Sequence, residues 1–348
     1  MLIQIRNGST VWYEEKITDK DKLTRGEHTW KWDGFDNSGI FDSAKFTKAQ
    51  SLNFYAIGKD KEGNTDRHSI DFEANYEEVE WVDVKINKNT KRIDVTLRVN
   101  LKDGGAYGID CTEQIVAPDP IIIKECPWDK IPESRIKYFG KPPLTSQVKS
   151  FRDLETLALE GINYHWGRNR NHFIAKNVDI DGEAYEVFVT AINTTEKAMD
   201  DVSLIFNTNN TWMRSGNPGT VDDPISFIGN IVSREAICYN VGYIKYSNRW
   251  DYNNPSIEDI EVKYTSAHEI GHTILKAYGG TFYSYGHKGS VNTVTQSESS
   301  NAIPYPKSGE IDVMPYYLNV VPISQYKRFS SAEKDTLSLI WLTKLELK

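Results

Sequence analysis

Residues 262–274 read VKYTSAHEIGHTI. Their apolar side chains recur at the spacing of one helix face, which predicts a buried helix. We expect this helix to begin between Ser256 and Asp259 and to end at Ala277, before a Gly-Gly pair. The C-terminal half of the chain is therefore predicted to be organised around one buried helix.

Three polar residues of this helix, His268, Glu269 and His272, form an HExxH pattern. Residues four apart on a helix project from one face, about 6 Å apart along its axis. That spacing suits two imidazole ligands of one tetrahedral Zn²⁺ ion. Glu269 lies near the same face, where a carboxylate can take the proton of a zinc-activated water. Because these groups are costly to bury without such a role, the pattern predicts a catalytic zinc site.

A third protein ligand is needed, since a catalytic zinc site uses three protein ligands and leaves the fourth position to water. His287 is the nearest candidate, in the loop of residues 283–289 that follows the predicted helix. Glu310 and Asp312 are the alternatives. We favour His287, and the two carboxylates stay open as candidates.

At these residues the chain resembles the zinc metallopeptidases, and the metzincin group in particular. In that group an HExxHxxGxxH motif is followed by a tight turn that contains a methionine, and residues 312–316, DVMPY, resemble this Met-turn. The resemblance covers roughly residues 225–320 and implies a zinc-dependent endopeptidase in which Glu269 is the general base and then the general acid. It also implies that Met314 lies beneath the metal and that Tyr316 stabilises the oxyanion.

Two positions depart from the metzincin pattern. Leu275 stands in place of the motif's Gly, and Tyr278 stands in place of its third His. With His287 as the third ligand, the loop before it is longer, as in the leishmanolysin-like branch. The resemblance further suggests that residues 225–232 form the edge strand that binds substrate in extended form, with a core strand as the alternative.

The first hundred residues alternate apolar and polar side chains, most regularly over residues 93–101. Short strands separated by polar turns predict an Ig-like β-sandwich over residues 1–105. Six of the 13 prolines fall within residues 118–143. This density is too high for a long helix or a central strand, so residues 106–150 are predicted to be a proline-rich linker.

Residues 151–348 are predicted to form the metzincin-like zinc peptidase domain. We expect its first helix to span residues 151–161, because Gly161 follows the helical pattern. We expect its last helix to span residues 331–347, with residues 330–333 as a capping box. The predicted fold class is therefore α+β, an Ig-like β-sandwich followed by a zinc peptidase domain with an active-site helix.

The segment of residues 28–39 contains WDGFDNSG, which is similar to a turn in the small Ig-like domains of flagellar hook-cap proteins. An Ig-like module ahead of an HExxH domain, with no Sec-type signal at the start, resembles the metallopeptidase effectors of type VI secretion systems that VgrG spike proteins carry. That resemblance implies a protein made in the cytoplasm and then secreted or delivered into a target cell. It also implies an antibacterial or anti-host role, a protein or peptide substrate, a cognate immunity protein and a secretion-spike component as partners. The alternative is a non-enzymatic docking module with a structural zinc site.

Net charge and hydropathy argue against a nucleic-acid-binding protein and against a membrane-spanning protein. The net charge is −8 and no basic stripe is present, which argues against a nucleic-acid partner. No apolar run approaches the roughly 20 residues of a membrane-spanning helix.

Cys111, Cys126 and Cys238 are expected to be free buried thiols, with a Cys111–Cys126 pair as the alternative. His165 and His172 are expected to have surface or packing roles.

Overall fold

The computed structural model describes residues 1–116, 121–130, 132–139, 142–208, 215, 235–241, 243–244, 250–251, 255–293 and 295–348. The described chain has a mixed α+β fold in which sheets predominate. The predicted α+β class is thereby confirmed, while its Ig-like and metzincin-like assignments remain predictions. Residues 225–232 lie outside the described residues.

The N-terminal part is built on a small antiparallel sheet. Its elements are β1 (Leu2–Asn7), β2 (Thr10–Lys16), β3 (Ile40–Asp42), α1 (Ser43–Thr47), β4 (Leu52–Lys59), β5 (Thr65–Phe72) and β6 (Ala74–Tyr76). Four of these strands form a sheet in the order β2-β1-β4-β5. Phe46, Leu52 and Ala74 form a small buried cluster against which Trp12 and Trp32 pack.

A larger mixed sheet forms the centre of the molecule. The next strands are β7 (Val82–Asn87), β8 (Arg92–Tyr107), β9 (Thr112–Val116), β10 (Ile121–Glu125), β11 (Val178–Ile180), β12 (Glu183–Asn193), β13 (Asp201–Asn207) and β14 (Ala236–Asn240). The main sheet runs in the order β11-β12-β8-β13-β14, with β7 also on β8 and β3 on β7. β8 pairs in parallel with both β12 and β13, whereas β7 and β8 form an antiparallel hairpin.

The predicted domain boundary between residues 105 and 106 falls inside β8. This strand belongs to the same sheet as β12 and β13, which the sequence analysis placed in the peptidase domain. Alternation identified β8 as a half-buried strand, but alternation carries no information about which strands pair with it. The predicted linker of residues 106–150 likewise contains regular structure, namely the hairpin of β9 and β10 and a short helix.

The remaining helices follow β10 in the chain. They are α2 (Glu133–Phe139), α3 (Phe151–Trp166), α4 (Pro255–Gly279), α5 (Thr281–Tyr285) and α6 (Glu333–Trp341). Apolar residues of α3 and α4 join the main sheet in one hydrophobic core. The bounds of α4 agree with the predicted central helix to within a few residues.

Helix α3 continues beyond its predicted end at Gly161. A Cβ atom built on Gly161 would lie 2.1 Å from the backbone oxygen of Lys263 in α4. This glycine therefore does not end α3. It allows two helices to approach each other more closely than any larger residue would permit.

The predicted last helix is wrong in its second half. α6 ends at Trp341, and Leu345–Leu347 form a strand, β19, that pairs antiparallel with β6. The predicted capping box is also wrong, because Ala332 occupies the N-cap position and makes no side-chain cap. Four two-residue strands complete the described fold, namely β15 (Tyr243–Ile244), β16 (Trp250–Asp251), β17 (Ile311–Asp312) and β18 (Phe329–Ser330).

The expectation that all three cysteines are free thiols is wrong for two of them. Cys111 and Cys126 form a disulfide, whereas Cys238 is free and buried as expected. The antiparallel register pairs Thr112 with Glu125, so the two cysteines face each other at the open end of the hairpin of β9 and β10. Within the described ranges, no helix has the length and apolar character needed to cross a membrane.

Candidate metal centre

Helix α4 carries the HExxH residues into the core. His268, Glu269 and His272 are all buried, in a helix whose neighbouring residues Ile270 and Ile274 belong to the hydrophobic core. The Nε2 atoms of His268 and His272 lie 3.2 Å apart. The helical spacing thus places both imidazoles together, as the sequence predicted.

His287 joins these two histidines from outside the helix. It begins a 3₁₀ turn, His287–Gly289, directly after α5, and its side chain is buried. Its ring centroid lies 5.2 Å from that of His268 and 4.6 Å from that of His272. One ring nitrogen from each of the three histidines lies within 4.8 Å of the others, which is close enough for all three to bind one metal ion.

Hydrogen bonds assign the tautomers of His268 and His287. The Nδ1 atom of His268 lies 2.8 Å from the Val313 carbonyl oxygen, and that of His287 lies 3.0 Å from the Tyr285 carbonyl oxygen. A carbonyl oxygen only accepts hydrogen bonds, so each Nδ1 must carry the proton. Each Nε2 therefore keeps its lone pair, the arrangement typical of metal-binding histidines.

Ser284 assigns the tautomer of His272. Its hydroxyl donates to the His272 carbonyl oxygen at 2.8 Å and lies 3.1 Å from Nδ1 of the same residue. Since the single hydroxyl proton is used on the carbonyl, the oxygen accepts from Nδ1 and the Nε2 lone pair is again available. Three lone pairs therefore converge in a buried space, and a metal cation is the partner that such a donor set fits.

Burial also keeps the imidazoles of His268 and His272 neutral. It lowers the pKa of His268, although the Val313 carbonyl and the Asp312 carboxylate act in the opposite direction. It lowers the pKa of His272 well below the ordinary value, with His268 and His287 adding to the effect. Neutral imidazole is the form that binds metals, so these ligands need lose no proton at neutral pH.

The two carboxylates considered as third ligands are engaged elsewhere. Glu310 forms a bidentate ion pair with Arg168, with both N–O distances at 2.8 Å. Asp312 pairs with Lys288 and accepts a hydrogen bond from the backbone N–H of Met314. In the part of the chain that the structure describes, the one group of three or more potential metal-binding side chains is formed by the three histidines.

Met314 packs directly under α4. It is fully buried, and a Cβ atom built on Gly271 would lie 2.4 Å from its sulfur. Gly271 lies between Glu269 and His272 in the motif, so the methionine contacts the helix at the level of its ligands.

Tyr316 lies against the same cluster. Its ring centroid is 4.0 Å from that of His287 and 5.6 Å from that of His268. Its backbone N–H donates to the Ser290 hydroxyl at 2.9 Å, and that hydroxyl donates to the His287 carbonyl oxygen at 2.8 Å. Ser290 therefore ties the turn after Met314 to the loop of the third histidine.

His165 and His172 lie apart from this cluster. Both are buried and both donate to the Phe329 carbonyl oxygen, at 2.7 and 3.0 Å. Burial lowers the pKa of His165 to about 4, so its ring stays neutral. The predicted packing role is confirmed, and a surface position is excluded for both.

Sequence reasoning missed the residues that orient the cluster. Ser284, Ser290 and Lys288 carry no motif, because each acts through a partner that folding brings close. A weak signal was available for Ser284 and Ser290, since both lie three residues from His287, Ser284 within the loop of residues 283–289 and Ser290 directly after it.

Comparison of the chain with models of protein families, with curated proteins and with solved structures gave no match.

Proposed function

We propose that the protein is a zinc-dependent peptidase in which His268, His272 and His287 hold the metal. The observation that carries this proposal is the convergence of three Nε2 lone pairs beside the buried carboxylate-bearing residue Glu269. Three imidazoles without a thiolate are a donor set that suits catalytic Zn²⁺. When bound, zinc would supply Lewis acidity, which lowers the pKa of water and polarises a scissile carbonyl.

The remaining chemistry belongs to protein side chains. Glu269, one residue after the first ligand, accepts a proton from the attacking water and passes it to the leaving amine. Tyr316, whose ring centroid lies 4.0 Å from that of His287, donates a hydrogen bond from its phenol to the developing oxyanion. Met314 supports the helix from below and takes no part in proton transfer.

The number of ligands favours an enzyme over the docking module. Structural zinc sites are closed by four protein ligands, whereas catalytic sites keep one position open. Within the described ranges, the cluster has three members. That composition leaves a coordination position for water or substrate, and it gives Glu269 a role that a purely structural site lacks.

Glu269→Gln tests the mechanism. The substitution keeps the size of the side chain and removes its basicity, so we expect one zinc per chain and a loss of peptide hydrolysis of roughly 10²- to 10⁴-fold. Zinc is measured by elemental analysis, and cleavage by mass spectrometry of a peptide library. Glu261→Gln, the same change about two helical turns earlier in α4, serves as the matched control and is expected to retain activity.

Two results would contradict the proposal. Undiminished hydrolysis by zinc-loaded Glu269→Gln would remove Glu269 from the mechanism. Failure of the unaltered protein to take up zinc would remove the zinc-peptidase proposal altogether.

We also propose that the peptidase is a secreted effector acting in an oxidising compartment. The support is the order of the modules together with the Cys111–Cys126 disulfide, since such bonds persist mainly outside the reducing cytosol. The substrate would be a target-cell protein or the peptide crosslinks of a cell wall, and a cognate immunity protein and a spike component would be its partners. Expression in a test bacterium should arrest growth when the chain is directed to the periplasm, and Glu269→Gln should abolish the arrest.

A further inference from the structure

The backbone at the third histidine has an unusual conformation. His287, Lys288 and Gly289 follow one another with φ angles of 46°, 59° and 88°, all in the left-handed region. Glycine adopts this region freely, but a residue with a side chain does so at a cost. Two successive non-glycine residues therefore need tertiary contacts that hold them in place.

Lys288 provides those contacts. Its side chain is only 16% exposed, and its ammonium group pairs with Asp312 and, at 2.8 Å, with Asp335. Asp335 is itself almost fully buried. The ammonium thus joins the turn of His287 to β17 and to helix α6. We call Lys288, Asp312 and Asp335 the lysine clamp.

The lysine clamp also reaches the first ligand. Asp312 directly precedes Val313, whose carbonyl oxygen accepts the hydrogen bond from Nδ1 of His268. The second carboxylate oxygen of Asp312 accepts from the backbone N–H of Met314 and so shapes the same turn. One ion-paired carboxylate is therefore linked to the loop of His287 on one side and to the orienting partner of His268 on the other.

We propose that Lys288 is a positioning residue that fixes His287, and through Asp312 also His268, in the geometry that binds the metal. The inference rests on the proposed metal site and names a determinant of its affinity. It does not depend on which bond the enzyme cleaves. Lys288 acts through its ion pairs and does not contact the reacting atoms.

Lys288→Met tests this role, because it keeps much of the side-chain volume and removes the charge. Zinc affinity is measured by competition with a chromogenic chelator, and ligand geometry by the visible spectrum of the Co²⁺-loaded protein. We expect a 10- to 100-fold weaker zinc affinity, the usual loss when a partner that orients a metal ligand is removed, and an altered Co²⁺ spectrum. Lys344→Met, which removes an exposed ion pair with Glu77, is the matched control and should leave both unchanged.

A second variant covers the case in which Lys288→Met does not fold. Asp335→Asn keeps a hydrogen-bond acceptor for Lys288 and removes one charge, so we expect a smaller loss of zinc affinity in a folded protein. Wild-type zinc affinity together with an unchanged Co²⁺ spectrum, in folded Lys288→Met or, failing that, in Asp335→Asn, would overturn the proposal. Absence of peptidase activity in the zinc-loaded unaltered protein would contradict the proposed function alone, since neither readout requires turnover.

Discussion

Ser330 and Ser331 are adjacent, fully buried serines. Their hydroxyl groups differ in whether they have a hydrogen-bond partner. The Ser331 hydroxyl lies 2.7 Å from that of Thr336, with which it shares a hydrogen bond. The Ser330 hydroxyl has no hydrogen-bond partner among the described residues. A buried polar group without a partner is destabilising, whereas a satisfied one contributes to stability.

The two serines should therefore respond differently to alanine. We expect Ser331→Ala to lower the free energy of unfolding by about 1 kcal/mol, and Ser330→Ala to leave it unchanged or raise it by up to about 1 kcal/mol. Urea denaturation followed by tryptophan fluorescence measures both. Equal destabilisation by the two substitutions would show that the Ser330 hydroxyl has a partner in solution.

A site residue could be predicted when its role depends on neighbours in the sequence, and could not be predicted when its role depends on a partner far away in the sequence. His268, Glu269 and His272 follow from helical spacing alone, which any chain of that sequence must obey. His287 was favoured by proximity, but the rejection of Glu310 required knowledge of Arg168, which lies far away in the sequence. The ion pairs of Lys288 are invisible to sequence reasoning for the same reason.

At the scale of elements, the contact between α3 and α4 positions the helix that carries His268 and His272. The indole N–H of Trp166 in α3 donates to the Ala267 carbonyl oxygen at 2.9 Å, directly before His268. Gly161 lies against Lys263 at the closest approach of the two backbones. The distance between α3 and α4 therefore depends on the lack of a side chain at Gly161.

Gly161→Ala should force the two helices apart. The added methyl group would overlap backbone that cannot move without the whole helix, so we expect a loss of about 3 kcal/mol in the free energy of unfolding, and weaker zinc binding. Gly58→Ala is the matched control, because nothing lies within 4 Å of the added methyl group there. A Gly161→Ala protein as stable as the control would show that the helices are farther apart than described.

Elements with a strong local pattern were predicted well, and those that depend on distant pairing were not. The bounds of α4 and the half-buried strand over residues 93–101 agree with the sequence analysis. The segment of residues 345–347 was assigned to a helix, although it pairs with β6 as a strand. Three residues are too few for their periodicity to distinguish a helix from a strand. The secondary structure of this segment therefore depends on its pairing with β6.

For the molecule as a whole, β8 is the strand on which the architecture depends. Its first half lies between β7 and β12, and its second half pairs with β13. The buried residues of this strand, from Ile93 to Leu101, belong to the same core as those of α3 and α4. The N-terminal part and the metal-binding part therefore share one sheet.

Fragments of the chain test this organisation. A fragment of residues 106–348 lacks most of β8 and should fail to fold, whereas one of residues 79–348 keeps β7 and β8 and should fold with reduced stability. Near-ultraviolet circular dichroism and zinc binding report on both. A folded, zinc-binding fragment of residues 106–348 would instead support the domain boundary expected from the sequence.

The pairing of β19 with β6 has a consequence for synthesis of the chain. Residues 74–76 are made early, yet their strand partner, residues 345–347, is made among the last of this sequence. Pairing across such a sequence separation is slow, because a very long loop must close first. A chain whose translation stopped before residue 345 would leave the edge of β6 open, and open strand edges promote aggregation. We therefore expect a chain that stops before residue 345 to aggregate more readily than one that includes residues 345–347.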